Sequence, residues 1–405
     1  MAAQTRPRTP RVLLPSPLRR TAPATPTGGP GVPAAERYRT VWTVLTVYAV
    51  AAAAHLTALF VLASARGLGG AHRRLLSWDG QLYAEIAGSG YPEEITYADG
   101  EPLGNNLAFF PLYPLLARAL HTVTGLDVPT AALVVTHLAL IGALFAVHGL
   151  VDALYGRRTA DVALVLVAVA QPMAVSLVMA YSEALFLALA AGALLAAHRH
   201  RWLTAGTLGL LAGLTRPAAA ALALALAVAV LAELRRTRRL AWRPLAGLAL
   251  ACAGTPGYLL WVAHRTGRLD GYFVVQEAGW GTHWDNGAAT VDFLLDTVLR
   301  GEGWVPLSTA GLLLAACALT ALAWRRPTWP PLLGYGTAML VLTLGQSNFY
   351  HSKLRLLVPA LLLLIPLAHA LARLPRRRLV PALTAAGLFG AWYGAHMLVV
   401  WTYAV

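Results

Sequence analysis

Apolar residues in this chain do not alternate with polar ones; they run on. Continuous apolar stretches occupy roughly residues 40–65, 130–154, 161–180, 184–198, 203–215, 217–233, 244–263, 306–324, 329–346, 354–373 and 380–404. A helix needs about 17–25 such residues to cross a hydrocarbon core of about 30 Å. Lipid offers no hydrogen-bonding partners, so a spanning backbone must satisfy itself, as a helix does. The pattern predicts an all-α polytopic membrane protein with about eleven transmembrane helices. An outer-membrane barrel is excluded, because its strands alternate in polarity.

One stretch needs a decision. Residues 203–233 read as a single run interrupted by Arg216. As one helix it would be about 46 Å long, too long for the core. It would also put Arg235-Arg236 and Arg238-Arg239 on the opposite side from the other basic gaps. Two short helices joined at Thr215-Arg216-Pro217 solve both problems, with Thr215 as cap and Pro217 starting the second helix.

Charge then orients the bundle. The chain is 58% hydrophobic and 12% charged, with formal net charge +14. Soluble domains carry about 25% charged residues, so an ordinary soluble enzyme, a disordered chain and a disulfide scaffold are excluded. Arg157-Arg158, Arg199 with Arg201, Arg235-Arg236 through Arg243, Arg325-Arg326 and Arg376-Arg377-Arg378 fall in every second gap. Basic loops stay in the cytoplasm. On that rule the inner segments carry net +18 and the outer segments net −4. The excess positive charge is a topology feature, and no nucleic-acid partner is expected. The reading is a multi-pass plasma-membrane protein with a cytoplasmic amino terminus and an outer carboxyl terminus. Residues 1–38, rich in Pro, Thr and Arg, read as a disordered cytoplasmic tail, and 39–405 as a single transmembrane domain. The stretch at Val12-Leu13-Leu14 is too short for a secretory signal. Cys252 and Cys317 both lie in apolar runs, so no structural disulfide is expected.

The two outer segments, about 66–129 and 264–305, exceed what a connector needs, and long structured loops usually carry function. In the first, Trp78-Asp79-Gly80 opens a helix. A carboxylate there is stabilised as the anion, and Asp79 reads either as a plain cap or as an ionised carboxylate available for chemistry. Leu107-Ala108-Phe109-Phe110-Pro111-Leu112-Tyr113-Pro114 reads as a kinked amphipathic element on the membrane, either a plain interfacial helix or a lipid-tail contact. Tyr181-Ser182-Glu183 joins two spans, with Ser182 as cap and Glu183 in the first turn or as a second acid beside Asp79. Arg216 is an arginine in apolar surroundings, where charge is costly. It serves either a structural pair with Glu183 or Asp79, or a phosphate oxygen pair. Asn348 to Arg355 opens the tenth span. His351, Lys353 and Arg355 there either form an anion pocket or snorkel to the interface. Gln276-Glu277 with Trp280, and His283-Trp284-Asp285, offer weak sugar-stacking chemistry. His198 and His200 read as charge partners of Arg199. No Walker loop, dinucleotide fingerprint or HExxH metal motif appears.

Taken in order, Trp78-Asp79, Gly90-Tyr91, Ala108-Phe109-Phe110-Pro111-Leu112-Tyr113-Pro114, Tyr181-Ser182-Glu183-Ala184-Leu185-Phe186 and Thr215-Arg216-Pro217 resemble the PIG-V-type mannosyltransferases (GPI mannosyltransferase II-like). These belong to the GT-C superfamily and have bacterial relatives. The similarity covers roughly residues 75–220 and continues loosely through 348–362. The resemblance implies a GT-C-like fold and an inverting transfer of a hexose, with mannose the expected sugar, at the outer face. The donor would be a polyprenyl-phosphate sugar, and the acceptor a glycan or glycolipid that the resemblance leaves unidentified. It implies Asp79 as the catalytic carboxylate. Trp78, Tyr83, Glu183, Arg216, His351, Lys353 and Arg355 would serve as substrate-binding residues, and Phe109, Phe110 and Tyr113 would contact lipid. No cofactor is implied, and the metal requirement is left open. The competing reading is a transporter or a lipid or glycolipid flippase with no bond chemistry. Broken helices around Arg216 would suit it equally well.

Overall fold

The computed structural model describes residues 34–68, 70–301, 303–401 and 403. The chain divides into a unit of residues 1–40 and a compact unit of residues 41–405. Most of the expected tail, 1–38, lies outside the described residues; residues 34–38 already belong to the first helix.

The elements run in order as α1 (Ala34–Ala65), α2 (Ala71–Leu75), α3 (Asp79–Ser89), a two-residue hairpin β1 (Tyr97–Ala98) and β2 (Glu101–Pro102), α4 (Leu112–Thr124), α5 (Val128–Tyr155) and α6 (Arg157–Val165). Then come α7 (Glu183–His198), α8 (Trp202–Gly213), α9 (Ala219–Thr237), α10 (Trp242–Thr266), α11 (Gly271–Trp280), β3 (His283–Trp284) and α12 (Ala288–Arg300). The chain closes with α13 (Trp304–Trp324), α14 (Pro330–Leu344), β4 (Gln346–Ser347), α15 (Lys353–Leu356), α16 (Ile365–Ala372) and α17 (Arg376–Val399). The fold is all-α, and the protein is a multi-pass membrane protein.

Among the described residues, five helices are long and apolar enough to cross a bilayer: α1, α5, α10, α13 and α17. A sixth span is formed if Tyr350–Leu356 and Leu361–Ala372, bent by 83°, count as one. The helices α7, α8 and α14 are apolar but shorter. Two of the eleven predicted runs are therefore not continuous helices. The run expected over 161–180 is helical only to Val165, passes through a π turn at Leu166–Ala170, and breaks at Gln171-Pro172. Proline removes the amide that would continue the helix. Irregular backbone is tolerated at membrane depth where protein covers it, and Leu166 to Ala170 are all buried. Here α17 supplies the cover. Gly390 packs so close to the Val169 and Ala170 carbonyls that a Cβ there would collide with them.

The run over 203–233 does split into two helices, with Arg216 in the turn. The capping differs from expectation. The Thr215 hydroxyl donates back to the Leu211 carbonyl (2.8 Å), and α9 starts two residues after Pro217, without a side-chain cap. Glycine then lets α8 and α10 touch backbone to backbone, because a Cβ on Gly206 would overlap Gly247. Both cysteines are free.

Candidate active site

Three hydrogen bonds, two of them backbone to backbone, bring the site segments together. The Ala180 amide donates to the Leu75 carbonyl (2.9 Å), the Tyr181 hydroxyl to the Ser77 carbonyl (3.1 Å), and the Leu112 amide to the Leu214 carbonyl (2.9 Å). The turns before α3, before α7 and after α8 thus meet at one end of the bundle.

Asp79 is the first residue of α3, where the helix dipole favours an anion. Trp78, just before it, has φ 56° and ψ −117°. That region is nearly closed to a side chain with a Cβ and costs about 1–3 kcal/mol. The strain turns the chain so that the Asp79 carboxylate points at Arg355. Arg355 Nη1 lies 2.7 Å from Asp79 Oδ2. The same guanidinium has Nε 3.4 Å from Glu183 Oε1 and its carbon 5.0 Å from the centre of the Tyr181 ring. Arg216 Nη1 lies 2.7 Å from Glu183 Oε1. It also donates to Ser182 Oγ (3.2 Å), which shares a hydrogen bond with the Tyr83 hydroxyl (2.8 Å). Ser182 therefore does not cap α7; its hydroxyl is a hub between Arg216 and Tyr83.

Two carboxylates and two guanidiniums thus close a charge-neutral cluster. Side-chain exposures are 16% for Asp79, 1% for Glu183, 14% for Arg216 and 11% for Arg355. Charges this far from water persist only when paired. Burial pushes the Asp79 carboxyl above its ordinary range, against the pull of Arg355 and Arg216. Glu183 adds to the rise. Asp79 is the more exposed of the two acids, and the one with room to exchange its partner.

The expected anion pocket of His351, Lys353 and Arg355 separates into three environments. Arg355 faces the carboxylates. The Lys353 ammonium is buried and donates to the carbonyls of Thr343 (3.0 Å) and Gln346 (2.8 Å). It closes the carbonyl end of α14, where a cation complements the dipole. His351 is buried among rings, stacked on Phe349 (5.5 Å between centroids) and edge-on to Trp401 (5.9 Å). Its position in a short turn rather than on a continuous helix explains the separation.

Phe109, Phe110 and Tyr113 also face inward rather than toward lipid. Phe109 packs edge-on against Tyr83 (5.0 Å) and Trp280 (5.3 Å), Phe110 against Tyr258 (4.5 Å), and Tyr113 against Tyr83 (4.9 Å). The Tyr113 hydroxyl donates to the Ala132 carbonyl (2.9 Å). Pro111 ends an extended stretch at the α4 cap, which turns the aromatic run inside and leaves Leu115, Leu116 and Val123 outward. These rings wall the site.

Residues of the second long segment are likewise engaged within the protein. Gln276 donates to the Ala108 carbonyl (2.9 Å), His283 lies 3.5 Å from Glu277, and the Asp285 carboxylate accepts from the Gly287 and Ala289 amides (2.8 and 2.7 Å). His200 pairs with Glu233 (3.5 Å) rather than with Arg199. Two residues the sequence reading passed over matter for placement. Arg118 donates to the Ala87 (2.6 Å) and Gly88 (3.1 Å) carbonyls at the end of α3, and Arg265 to those of Pro92 (2.6 Å) and Tyr91 (3.1 Å). An arginine aimed at backbone leaves no spacing pattern to find.

No family model matches the chain, and no curated protein sequence matches it. Solved structures do. ArnT from Cupriavidus metallidurans bound to undecaprenyl phosphate superposes with a TM-score of 0.53 at 16% identity, over 88% of this chain and 76% of that one. Its apo form gives 0.51, at 16% identity, over 90% and 77%. The apo oligosaccharyltransferase of Archaeoglobus fulgidus gives 0.51 at 14% identity, over 88% of this chain and 56% of that one. The protein has the fold of the GT-C membrane glycosyltransferases.

Proposed function

We propose that this protein is a GT-C glycosyltransferase that moves a hexose, with mannose the expected sugar, from a polyprenyl-phosphate donor to a glycan or glycolipid acceptor at the outer face of the plasma membrane. The observation that carries the reading is the junction of Asp79, Glu183, Arg216 and Arg355 from four separate segments at one end of a GT-C bundle. It is supported by the fold neighbours, one of which holds undecaprenyl phosphate. The ordered motifs shared with PIG-V-type enzymes favour mannose.

The chemistry needs cations for a departing lipid phosphate and a base for the acceptor hydroxyl. A donor phosphate takes Arg355, with Arg216 beside it, in charge-assisted hydrogen bonds. Arg355 then exchanges the Asp79 carboxylate for phosphate oxygens. The released carboxylate accepts the acceptor proton as the new C–O bond forms and the C–O bond to the lipid phosphate breaks. The leaving phosphate takes the electron pair, stabilised by the two guanidiniums. Single displacement inverts the anomeric centre. Glu183 holds both arginines in place, and Tyr83 and Trp78 border the base.

Transfer of radiolabelled sugar from polyprenyl-phosphate-mannose to an envelope lipid extract tests this. Wild type labels a product and Asp79→Asn, still folded, does not. Full turnover by Asp79→Asn would end Asp79's part in it. The break at Arg216 and the 83° bend before α16 are features that a flippase would also use. Substrate movement in proteoliposomes without any labelled product would establish that reading instead.

A further inference from the structure

The helix α12 divides its circumference into three sectors. Successive residues lie about 100° apart around a helix. Thr290, Phe293 and Thr297 share the first sector, which faces protein. Both threonines are buried, and Phe293 stacks on Tyr350 with centroids 4.4 Å apart. Val291, Leu295, Val298 and Leu299 share the second, and are 54%, 55%, 75% and 76% exposed. Asp292, Asp296 and Arg300 share the third, all exposed.

Four large aliphatic side chains in one exposed stripe call for an apolar cover. The chain itself identifies it. The membrane-crossing helix α13 begins at Trp304, four residues beyond Arg300. Four residues reach at most about 14 Å, so the end of α12 lies within that distance of the start of the membrane-crossing helix. Protein, apolar stripe and charges follow one another around the helix. A helix lying beside a membrane protein meets its surroundings in that order: the neighbour, the acyl boundary and water.

We propose that α12 is an interfacial helix whose Val291, Leu295, Val298 and Leu299 stripe inserts into the headgroup–acyl boundary of the bilayer. This rests on the membrane span alone, not on the proposed chemistry. It has a consequence for the charged site. The Thr290 hydroxyl donates to the Leu344 carbonyl (2.7 Å), the Asp285 and Gly287 amides donate to the Gly345 carbonyl (both 3.2 Å), and β3 pairs with β4. The inserted helix is thus fastened to the segment that leads into α15 and Arg355, and it sets the depth of that guanidinium relative to the lipid phosphates.

The test uses the unmodified protein in nanodiscs of phosphatidylethanolamine and phosphatidylglycerol, doped with a lipid carrying a diazirine on its acyl chain. Adducts are mapped by mass spectrometry after photolysis, and a parallel sample is footprinted with hydroxyl radicals. The expected result is about tenfold more lipid adduct on the stripe than on Asp292, Asp296 and Arg300, with the stripe protected from oxidation. Oxidation of Leu295 and Leu299 without adducts would place the stripe in water and overturn the proposal. Protection from both reagents would mean that protein, such as a second copy, covers it, and would overturn it as well. Neither outcome bears on sugar transfer, which is assayed separately.

Discussion

Replacing Arg355 by glutamine removes the cation that two acids share, and the consequence can be worked out. Its Nη1 lies 2.7 Å from Asp79 and its Nε 3.4 Å from Glu183, with little solvent between them. Unit charges about 4 Å apart attract by about 4 kcal/mol at an effective dielectric near 20. That matches the ~3–5 kcal/mol lost when one partner of a buried pair is deleted. Glutamine keeps a donor and Arg216 remains, so only part of this loss falls on the ionisation of Asp79. Asp79 already titrates above the ordinary carboxylate range because of burial, and loss of Arg355 moves it further up. A base works ionised, so transfer is lost as pH falls through this pKa. The acid limb of the kcat/KM profile therefore shifts to higher pH. Lost stabilisation of the departing phosphate lowers the plateau by a further factor of about 10²–10³. The assay is the initial rate of radiolabelled transfer at pH values from about 4 to 9, on protein shown to be monodisperse. Arg355→Lys, which keeps the charge but not the fork, recovers the pH profile more fully than the rate. An unchanged profile, with kcat/KM near wild type, would refute the exchange of Arg355 between Asp79 and phosphate.

Three further outcomes follow from the same geometry. Glu183→Gln leaves Arg216 without its 2.7 Å partner and costs about 3 kcal/mol; a thermal-shift midpoint equal to wild type would contradict this. Trp78→Gly relieves backbone strain of about 1–3 kcal/mol, so the protein melts no lower than wild type while transfer drops; a clear loss of stability would show that the ring, not the turn, holds the site. Lys353→Met uncovers the carbonyls of Thr343 and Gln346 and lowers the melting point, while the KM for donor stays close to wild type. A many-fold rise in that KM would return Lys353 to the anion site.

Much of the architecture was legible because lipid leaves a chain few choices. Unbroken apolar runs can only be helices, and Arg216 in a run too long for one span demanded a turn, which lies where the length argument put it. Arg216 stood out for the same reason, since charge beside hydrocarbon must be compensated. Asp79 and Glu183 stood out as acids at helix starts, and Arg355 as part of a polar cluster opening an apolar run. What the sequence could not carry is direction. Ser182 and Thr215 have the right chemistry for helix caps, yet the first hydroxyl bridges Arg216 and Tyr83 and the second bonds back to Leu211. His351, Lys353 and Arg355, within five positions, face a ring stack, a helix end and a pair of acids, because the turn around them points each a different way. Phe109, Phe110 and Tyr113 have the composition of a lipid contact but fold inside. Hydrophobicity along a chain decides which segments avoid water. Whether a side chain that avoids water meets lipid or protein, and which charge meets which, depends on segments far apart along the chain, and only their packing fixes that.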